Sequence, residues 1–274
     1  MINLSEIYSN YLDSLKEEKT RDPFRLFVSD VGKCPRQVAC RMLGTEKNPE
    51  AAQSVFNRNI MFDNALHMES RMIEALKWDG RLIAEQEDVD VYDHENWGGR
   101  FDIIADVDGR RVIEYKTANS NAFRHDFDRD DYRLQASVYD IYCRELYTLT
   151  ARPLIPLFDR GGTNTYKWEE VNVSKGQVFY LMNELDDVRA TMKVGGELPP
   201  KLGKILKKRS YDKELVLEPP WDCGWCDYSD VCKPETGKSV WARRDDNREP
   251  WTVCRAADPA VLANWALIEL ENIV

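Results

Sequence analysis

Apolar residues in the first part of the chain recur at the spacing of amphipathic helices. In residues 3–18 they fall three or four positions apart, which predicts a helix with one apolar side. A short capped helix is predicted to end at Gly44, and a long helical pattern covers residues 49–78 and stops at Gly80. We therefore predict an N-terminal helical region over residues 1–80.

From residue 81 onward, apolar stretches typical of strands alternate with further helical patterns. Strands are predicted at residues 81–92, 100–106, 111–117, 153–158 and 165–172, and helices at residues 130–147, 174–194 and 258–271. This order predicts a mixed α/β (α+β) fold with a central mixed β-sheet flanked by helices. We divide the remaining chain into a core at residues 81–200, a basic segment with a cysteine cluster at residues 201–235, and a tail with a helix at residues 236–274.

Composition narrows the class of protein. Of the 274 residues, 43% are hydrophobic, which is enough for a sizeable core, and no apolar run is long enough to cross a bilayer. The N-terminus has no basic region followed by an apolar block, so we expect a soluble cytoplasmic protein with no membrane association. The net charge of −10 argues against indiscriminate nucleic-acid binding, although it allows a local basic groove or clustered carboxylates that hold cations.

Charged residues interrupt an apolar hairpin in the sequence "GRFDIIADVDGRRVIEYKT", residues 99–117. Side chains alternate along a strand, so Glu114 and Lys116 share a face. A two-residue loop would place Asp102 on the opposite face, whereas a three-residue loop ending at Gly109 would pair Asp102 with Glu114. Glycine suits the last position of a three-residue hairpin loop, so we predict the second register.

This register would bring two carboxylates and a lysine together. Like charges that close repel, and a divalent cation between Asp102 and Glu114 would offset the repulsion. Carboxylates and the nearby carbonyl of Tyr115 are oxygen ligands suited to Mg²⁺ or Mn²⁺. Such a site fits phosphodiester hydrolysis, with Lys116 orienting or deprotonating the water and its pKa lowered by the cation and by burial. The alternative is an ion-paired surface strand.

Three of the seven cysteines lie in "CGWCDYSDVC", as Cys223, Cys226 and Cys232. An odd number of cysteines in a chain without a secretory signal argues against a disulfide framework. The spacing instead predicts a metal site whose fourth ligand lies elsewhere in the chain. From spacing alone, zinc with Cys40 as a ligand and an iron–sulfur cluster both fit.

Several motifs in order resemble the PD-(D/E)XK nuclease superfamily over roughly residues 30–235. They are Gly99-Arg100-Phe101-Asp102, Glu114-Tyr115-Lys116 and Gln135-x3-Tyr139. An upstream helix carries His67 in "ALHMES", which resembles the metal-binding histidine of the RecB-like branch. The resemblance implies a restriction-endonuclease-like core.

The resemblance also implies roles for these residues. The Mg²⁺ or Mn²⁺ ligands would be His67, Asp102, Glu114 and Tyr115, and the catalytic residues would be Lys116, Asp102 and Glu114. Gln135 would contact the lysine or DNA, and Tyr139 would help to hold DNA. Each also has a simpler interpretation, with His67 hydrogen-bonded in the core, and Gln135 and Tyr139 on an ordinary helix face.

The cysteine spacing is similar to that of the RecB/AddB-like branch, which includes CRISPR-associated exonucleases. In that branch the fourth cysteine lies far upstream, where Cys34 stands in this chain. The resemblance therefore implies a 4Fe–4S cluster held by Cys34, Cys223, Cys226 and Cys232. Such a cluster would staple the N-terminal and C-terminal segments into one helical subdomain.

The implied partner is DNA, most simply a single strand. The basic segment "KLGKILKKRS" supplies candidate phosphate contacts at Lys204, Lys207, Lys208 and Arg209, although it also fits a solvated loop. We expect a metal-dependent, single-strand DNA exonuclease in recombination, repair or CRISPR-type DNA processing, with protein partners, in a bacterial or virus-infected cell. The alternatives are a structure-selective or sequence-specific endonuclease on the same fold and a non-cleaving iron–sulfur subunit that binds nucleic acid.

Overall fold

The computed structural model of the protein describes most of the chain. The described residues are 11, 22–48, 52–91, 95–118, 123, 130–159, 166–199, 205–208, 215–218, 223, 226–232, 239–244, 250–251 and 265–269. The chain divides into two units, Met1–Gly32 with Pro49–Val178, and Lys33–Asn48 with Phe179–Val274. The helix expected over residues 3–18 lies outside the described residues except at Tyr11, and the boundaries expected at residues 80, 200 and 235 stay predictions.

The elements follow the predicted order through most of the chain. The strands are β1 (Leu26–Phe27), β2 (Leu82–Glu85), β3 (Trp97–Gly98), β4 (Ile103–Asp106), β5 (Arg110–Ile113), β6 (Lys116–Ala118), β7 (Leu154–Asp159), β8 (Tyr166–Glu170), β9 (Ile205–Lys208), β10 (Leu215–Glu218), β11 (Ser239–Arg244), β12 (Pro250–Trp251) and β13 (Trp265–Glu269). The helices are α1 (Pro35–Met42), α2 (Ala52–Trp78), α3 (Asp130–Cys143), α4 (Lys175–Lys193) and α5 (Ser229–Cys232). A short 3₁₀ turn covers Val28–Asp30.

The first unit contains a six-stranded mixed sheet. Strands β2, β4 and β5 pair antiparallel, β5 and β6 both run parallel to β7, and β8 pairs antiparallel with β7. Helix α3 connects the parallel strands β6 and β7, as a parallel crossover requires. The predicted mixed sheet flanked by helices is therefore confirmed.

The two faces of this sheet carry different helices. On one face, α2 contributes to a buried cluster of Ile73, Leu76, Ile103, Ala105 and Ile113. On the other face, α3 contributes to a cluster of Ala136, Ile155 and Val171, with Tyr132 packed against it. Leu154 packs against the first cluster, and its neighbour Ile155 belongs to the second. Because neighbouring residues of a strand point to opposite faces, the two helices cover opposite sides of the sheet.

The hairpin between β4 and β5 has the predicted register. Asp106 pairs with Arg110 and Ile103 pairs with Ile113, which leaves a three-residue loop at residues 107–109. Asp108 and Gly109 have φ angles of 51° and 102°, and a φ near 100° is readily adopted only by glycine. Extending the register by one residue sets Asp102 opposite Glu114.

The strand pairing beside β7 is interrupted at Glu114 and Tyr115. Ile113 pairs with Leu154 and Lys116 pairs with Leu157, so both parts keep one register with β7. The backbone N–H of Glu114 donates to the carbonyl of Leu154 at 3.0 Å. In this register the carbonyl of Glu114 faces residue 156, which is a proline and has no N–H to donate. The ladder therefore breaks at the carboxylate predicted to bind metal.

The second unit corrects one prediction. A helix was expected near residues 258–271, but Trp265–Glu269 forms β13 and pairs antiparallel with β11. The segment contains tryptophan and isoleucine, which favour strands, and a distant partner strand decided its conformation. Strand β9 in the basic segment pairs with β10, another partner that local sequence does not indicate.

No helix of the described part of the chain is long and apolar enough to cross a membrane.

Candidate functional site

The first unit brings Asp102, Glu114 and Lys116 together, as the predicted register requires. The Glu114 side chain is buried and pairs through Oε1 with the Nζ atom of Lys116. An Oδ2 atom of Asp102 accepts a 2.8 Å hydrogen bond from the backbone N–H of Tyr115. The peptide of Tyr115 therefore lies directly beside the Asp102 carboxylate.

Burial makes both carboxylates weaker acids. Desolvation raises the pKa of Asp102 to about 8, and the charge of Glu114 acts in the same direction, against the opposing effects of Lys116 and the Tyr115 N–H. Desolvation also raises the pKa of Glu114, against the opposing effect of its ion pair with Lys116. Each acid would thus release its proton more readily if a cation lay beside it.

The carboxylates around Lys116 raise its pKa when no cation is bound. Burial lowers this pKa, as expected, but the charges of Glu114 and Asp102 outweigh burial. The expected lowering by a bound cation stays a prediction. The side chain is therefore an ammonium that donates hydrogen bonds.

Glu69 on α2 acts electrostatically on this group, and the sequence analysis did not single it out. Its charge raises the pKa of Asp102, Glu114 and Tyr115. Its Oε1 atom accepts a 2.8 Å hydrogen bond from Gln86. Glu69 precedes the core residue Ile73 by one helical turn, a spacing that identifies it in the sequence as a residue facing the sheet.

His67 has a different position from the one expected. It is exposed and stands two residues before Glu69, and residues two apart on a helix do not share a face. Within the described residues, no three His, Cys, Asp or Glu side chains are grouped closely enough to hold a metal ion. The role of His67 as a metal ligand stays a prediction, and the placement of Glu69 disfavours it.

The carboxylates fit a hard divalent cation. The Oε2 atom of Glu114 is buried and has no hydrogen-bond partner among the described residues. A buried, unpartnered carboxylate oxygen is costly, and a bound cation would satisfy it. Oxygen atoms from Glu114, Asp102 and the backbone of Tyr115 are the donors that Mg²⁺ and Mn²⁺ prefer.

Helix α3 contacts the strand that carries Glu114 and Lys116. The Nζ atom of Lys116 lies 5.3 Å from the centroid of the Tyr132 ring. One turn further along, Gln135 hydrogen-bonds Tyr139, whose hydroxyl accepts the backbone N–H of Arg100 at 3.2 Å. Tyr139 is only 3% exposed, so its expected contact with DNA stays a prediction that its burial disfavours.

The glycine of the first motif is required by close packing. A Cβ atom at Gly99 would lie 2.5 Å from Val28 and 3.1 Å from the ring of Tyr139. Glycine therefore lets the backbone pass between these side chains on its way to Asp102.

Within the second unit, the segment that carries Cys34 meets the segment that carries Cys226. The backbone N–H of Asn48 donates to Asp227 at 2.7 Å, and the Asn48 side chain donates to Ser229 at 2.7 Å and to the carbonyl of Cys226 at 3.3 Å. Lys47 pairs with the Asp227 carboxylate at 2.7 Å. These contacts join the segment that carries Cys34 to the segment that carries Cys226.

The thiols themselves are close enough to interact. Burial raises the pKa of Cys226, and the thiols of Cys34 and Cys232 act in the same direction. Burial raises the pKa of Cys40, with a smaller effect from Cys232. The N–H of Cys226 donates to the carbonyl of Cys223 at 3.4 Å. Thiolates are the usual donors of iron–sulfur clusters and zinc sites, so the residue types suit such a group. In the described residues, however, no three of these thiols are grouped closely enough to hold a metal.

The predicted DNA contacts in the basic segment are only partly described. The backbone of Lys207 and Lys208 lies in β9, whereas Lys204 and Arg209 lie outside the described residues.

Comparison with known families identifies the class of protein. Residues 24–233 match the model of the PD-(D/E)XK nuclease superfamily. This match covers most of the chain, and the chain belongs to the PD-(D/E)XK nuclease superfamily. Its members are nucleases that use divalent metals, so the resemblance noted from the motifs is confirmed at the level of the superfamily.

Solved structures with a similar chain path are distant. The chain in the crystal structure of SSO0001 shares 13% sequence identity with this chain. The alignment covers 86% of this chain and 99% of that chain, with a TM-score of 0.49. An alkaline exonuclease (LHK-Exo) from Laribacter hongkongensis is 14% identical, covering 64% of this chain and 90% of that chain at a TM-score of 0.43. Its complex with dAMP is 12% identical with the same coverage and a TM-score of 0.44. A search of curated proteins found no match.

We predict that Asp102→Asn stabilises the metal-free protein at neutral and alkaline pH. The pKa of Asp102 is about 8 in the folded chain and about 4 in an unfolded one, so the folded state binds the proton more tightly. Stability should therefore fall as pH rises from about 4 to about 8, and asparagine removes that loss. Chemical denaturation in EDTA should show a gain of roughly 2–5 kcal/mol at pH 8, since one pKa unit corresponds to about 1.4 kcal/mol, and the gain should disappear near pH 4.

Asp106→Asn, at an exposed position of the same hairpin, is the matched control. A stability difference between Asp102→Asn and the parent protein that is the same at every pH would contradict the assigned environment of Asp102.

Proposed function

We propose that this protein is a metal-dependent DNA nuclease that acts as an exonuclease on single strands. The observation that carries the proposal is the buried, unpartnered Oε2 atom of Glu114 beside Asp102 and Lys116. Membership of the superfamily supports hydrolysis of a phosphodiester bond by these residues.

In this proposal Asp102 and Glu114 hold Mg²⁺ or Mn²⁺ together with the carbonyl of Tyr115. Glu69 joins them directly or through water, because its charge acts on both carboxylates. His67 remains the ligand that the motif resemblance implies. The bound cation would lower the pKa of a water molecule and offset negative charge on the phosphate.

Lys116 then acts as a charged donor. Its ion pair with Glu114 and the Tyr132 ring hold the ammonium in place. Because its pKa is raised, it would orient the water or stabilise charge on a phosphate oxygen rather than remove a proton. Gln135 and Tyr139 support this arrangement by holding the backbone of Arg100, next to the motif aspartate.

We further propose that a 4Fe–4S cluster is held by Cys34, Cys223, Cys226 and Cys232. The mutual influence of the Cys34, Cys226 and Cys232 thiols supports this assignment, as does the hydrogen bonding between their segments. The cluster would cross-link chain segments that are far apart in sequence. Zinc, with Cys40 near Cys232, is the competing assignment.

DNA is the proposed partner, because the basic segment can contact phosphates. The net charge of the whole chain is negative, so such contacts would be local. Lys204, Lys207, Lys208, Arg209, Gln135 and Tyr139 are the proposed DNA contacts. We propose a role in recombination, repair or CRISPR-type processing, with protein partners, because the motifs resemble those of the RecB/AddB-like branch.

We predict that Lys116→Ala and Glu114→Gln each reduce Mn²⁺-dependent cleavage by about 100-fold or more, because each removes a group that acts at the reacting phosphate. End-labelled linear and circular DNA, each single- and double-stranded, would be incubated with and without Mn²⁺. Linear single strands should be shortened from an end, and circles should stay intact. Lys77→Ala, an exposed lysine on α2, is the control and should keep full activity.

The outcomes separate the alternatives. Cleavage of circles would identify an endonuclease. DNA binding with no metal-dependent cleavage of any substrate would identify a non-cleaving subunit. Full activity in Lys116→Ala would show that the site lies elsewhere.

We predict that the purified protein is brown, with broad visible absorption and stoichiometric iron and sulfide. Cys226→Ala should lose the colour and the iron, whereas Cys143→Ala, at a buried cysteine of the first unit, should keep both. Elemental analysis and absorption spectra measure this directly. A colourless protein with stoichiometric zinc would contradict the iron–sulfur assignment.

A further inference from the structure

Four aromatic rings lie in a row across the central sheet, with two stacked pairs followed by one tilted pair. The ring of Tyr115 stacks on Phe158 at a centroid distance of 4.9 Å and an interplanar angle of 23°. Phe158 stacks on Tyr166 at 5.8 Å and 29°, and Tyr166 lies 5.3 Å from Trp168 at 47°. We call these four residues the aromatic ladder.

The strand register places the whole ladder on one face of the sheet. Thr117 and Tyr166 both pair with Phe158, and Trp168 pairs with Pro156. Tyr115 shares the face of Thr117 because side chains alternate along a strand. Glu114 and Lys116 therefore point to the opposite face of the same strand.

The ladder is buried at one end and open at the other. Tyr115 is 6% exposed, whereas Tyr166 is 56% exposed and Trp168 is 64% exposed. Tyr166 stacks on the inner ring of Phe158 and contacts Trp168, and both outer rings present apolar surface to solvent. Exposed aromatic rings that continue a stack are a platform for another flat, aromatic group.

We propose that Tyr166 and Trp168 bind unpaired bases of a single-stranded nucleic acid; this inference rests on the proposed nuclease function. Every base has a π-face that can stack on an aromatic side chain, whatever its sequence. Bases within a duplex are already stacked on one another and paired, so the platform selects unpaired nucleotides. The ladder would thus supply the preference for single strands.

The size and surroundings of the platform disfavour a protein partner. Two aromatic side chains offer about 150–250 Å² each, whereas a stable protein interface buries about 800 Å² on each partner. On the face of Trp168, the next residue along the strand is Glu170, which pairs with Arg111 at 2.7 Å. An ion pair therefore borders the two rings at this end of the strand, and the area of the rings suits one or two bases.

The position of the ladder predicts what it affects. It begins at Tyr115, between the catalytic Glu114 and Lys116 in sequence, and leads away across β7 to β8. Its exposed rings lie outside the catalytic group, so the bases they bind would not be the reacting ones. The ladder would therefore act on substrate affinity rather than on the chemical step.

The test measures binding of fluorescently labelled oligothymidylate by anisotropy, with the full-length protein in EDTA so that no cleavage occurs. Tyr166→Ala and Trp168→Ala should each weaken the affinity by about 5- to 100-fold, because each removes one stacking ring. Tyr166→Phe and Trp168→Phe keep a ring and should stay within a few-fold of the parent. Trp78→Ala removes a 89% exposed tryptophan at the end of α2 and should change nothing.

In the cleavage assay, the double variant Tyr166→Ala/Trp168→Ala should raise KM for single strands and leave kcat nearly unchanged. If the folded double variant binds oligothymidylate as tightly as the parent, the ladder is not a base platform. If it cleaves single strands with an unchanged KM, this inference fails while the nuclease proposal stands. If the parent binds oligothymidylate through these rings yet cleaves nothing with Mn²⁺, the nuclease proposal fails while this inference stands.

Discussion

The rest of the site depends on the burial of Glu114 against Lys116 and beside Asp102. A buried carboxylate pair is unfavourable by itself, and one lysine offsets only part of that cost, since the pKa values of both acids stay raised. The oxygen of Glu114 that has no hydrogen-bond partner among the described residues still lacks a positive charge to offset its burial. A divalent cation meets that demand, which connects the electrostatics of the metal-free chain to the chemistry of its superfamily.

The fold holds this unfavourable group in place through several independent elements. The three-residue loop sets Asp102 opposite Glu114. Pro156 interrupts the backbone hydrogen bonding between β7 and the strand of Glu114 at the position of Glu114. Helix α2 brings Glu69 from one face, and α3 brings Tyr132 and the Gln135–Tyr139 pair from the other. Each helix packs on the sheet through its own apolar cluster. This packing can hold the buried carboxylates close together although their burial is unfavourable.

Local chemistry made part of this structure predictable. Gly109 indicated the loop length, and the loop length decided the register of Asp102. Features that depend on distant partners could not be predicted from local sequence. The residues of β13 were expected to be helical, because its partner β11 lies more than twenty residues earlier and the local pattern does not indicate it. The motif resemblance drew attention to His67, whereas the apolar side of α2 that faces the core would have indicated Glu69 as a second acid near the strand. The raised pKa of Lys116 required knowing how closely Glu114 and Asp102 enclose it.

The most direct test of the metal site is calorimetric titration of the metal-free protein with Mn²⁺ near pH 7, in buffers of different ionisation enthalpy. Because the pKa of Asp102 is about 8, binding should displace its proton, and the buffer dependence should report release of about one proton per Mn²⁺. Glu114→Gln should abolish this binding. Mn²⁺ binding without proton release, or equal affinity in Glu114→Gln, would contradict a cation held by these buried carboxylates.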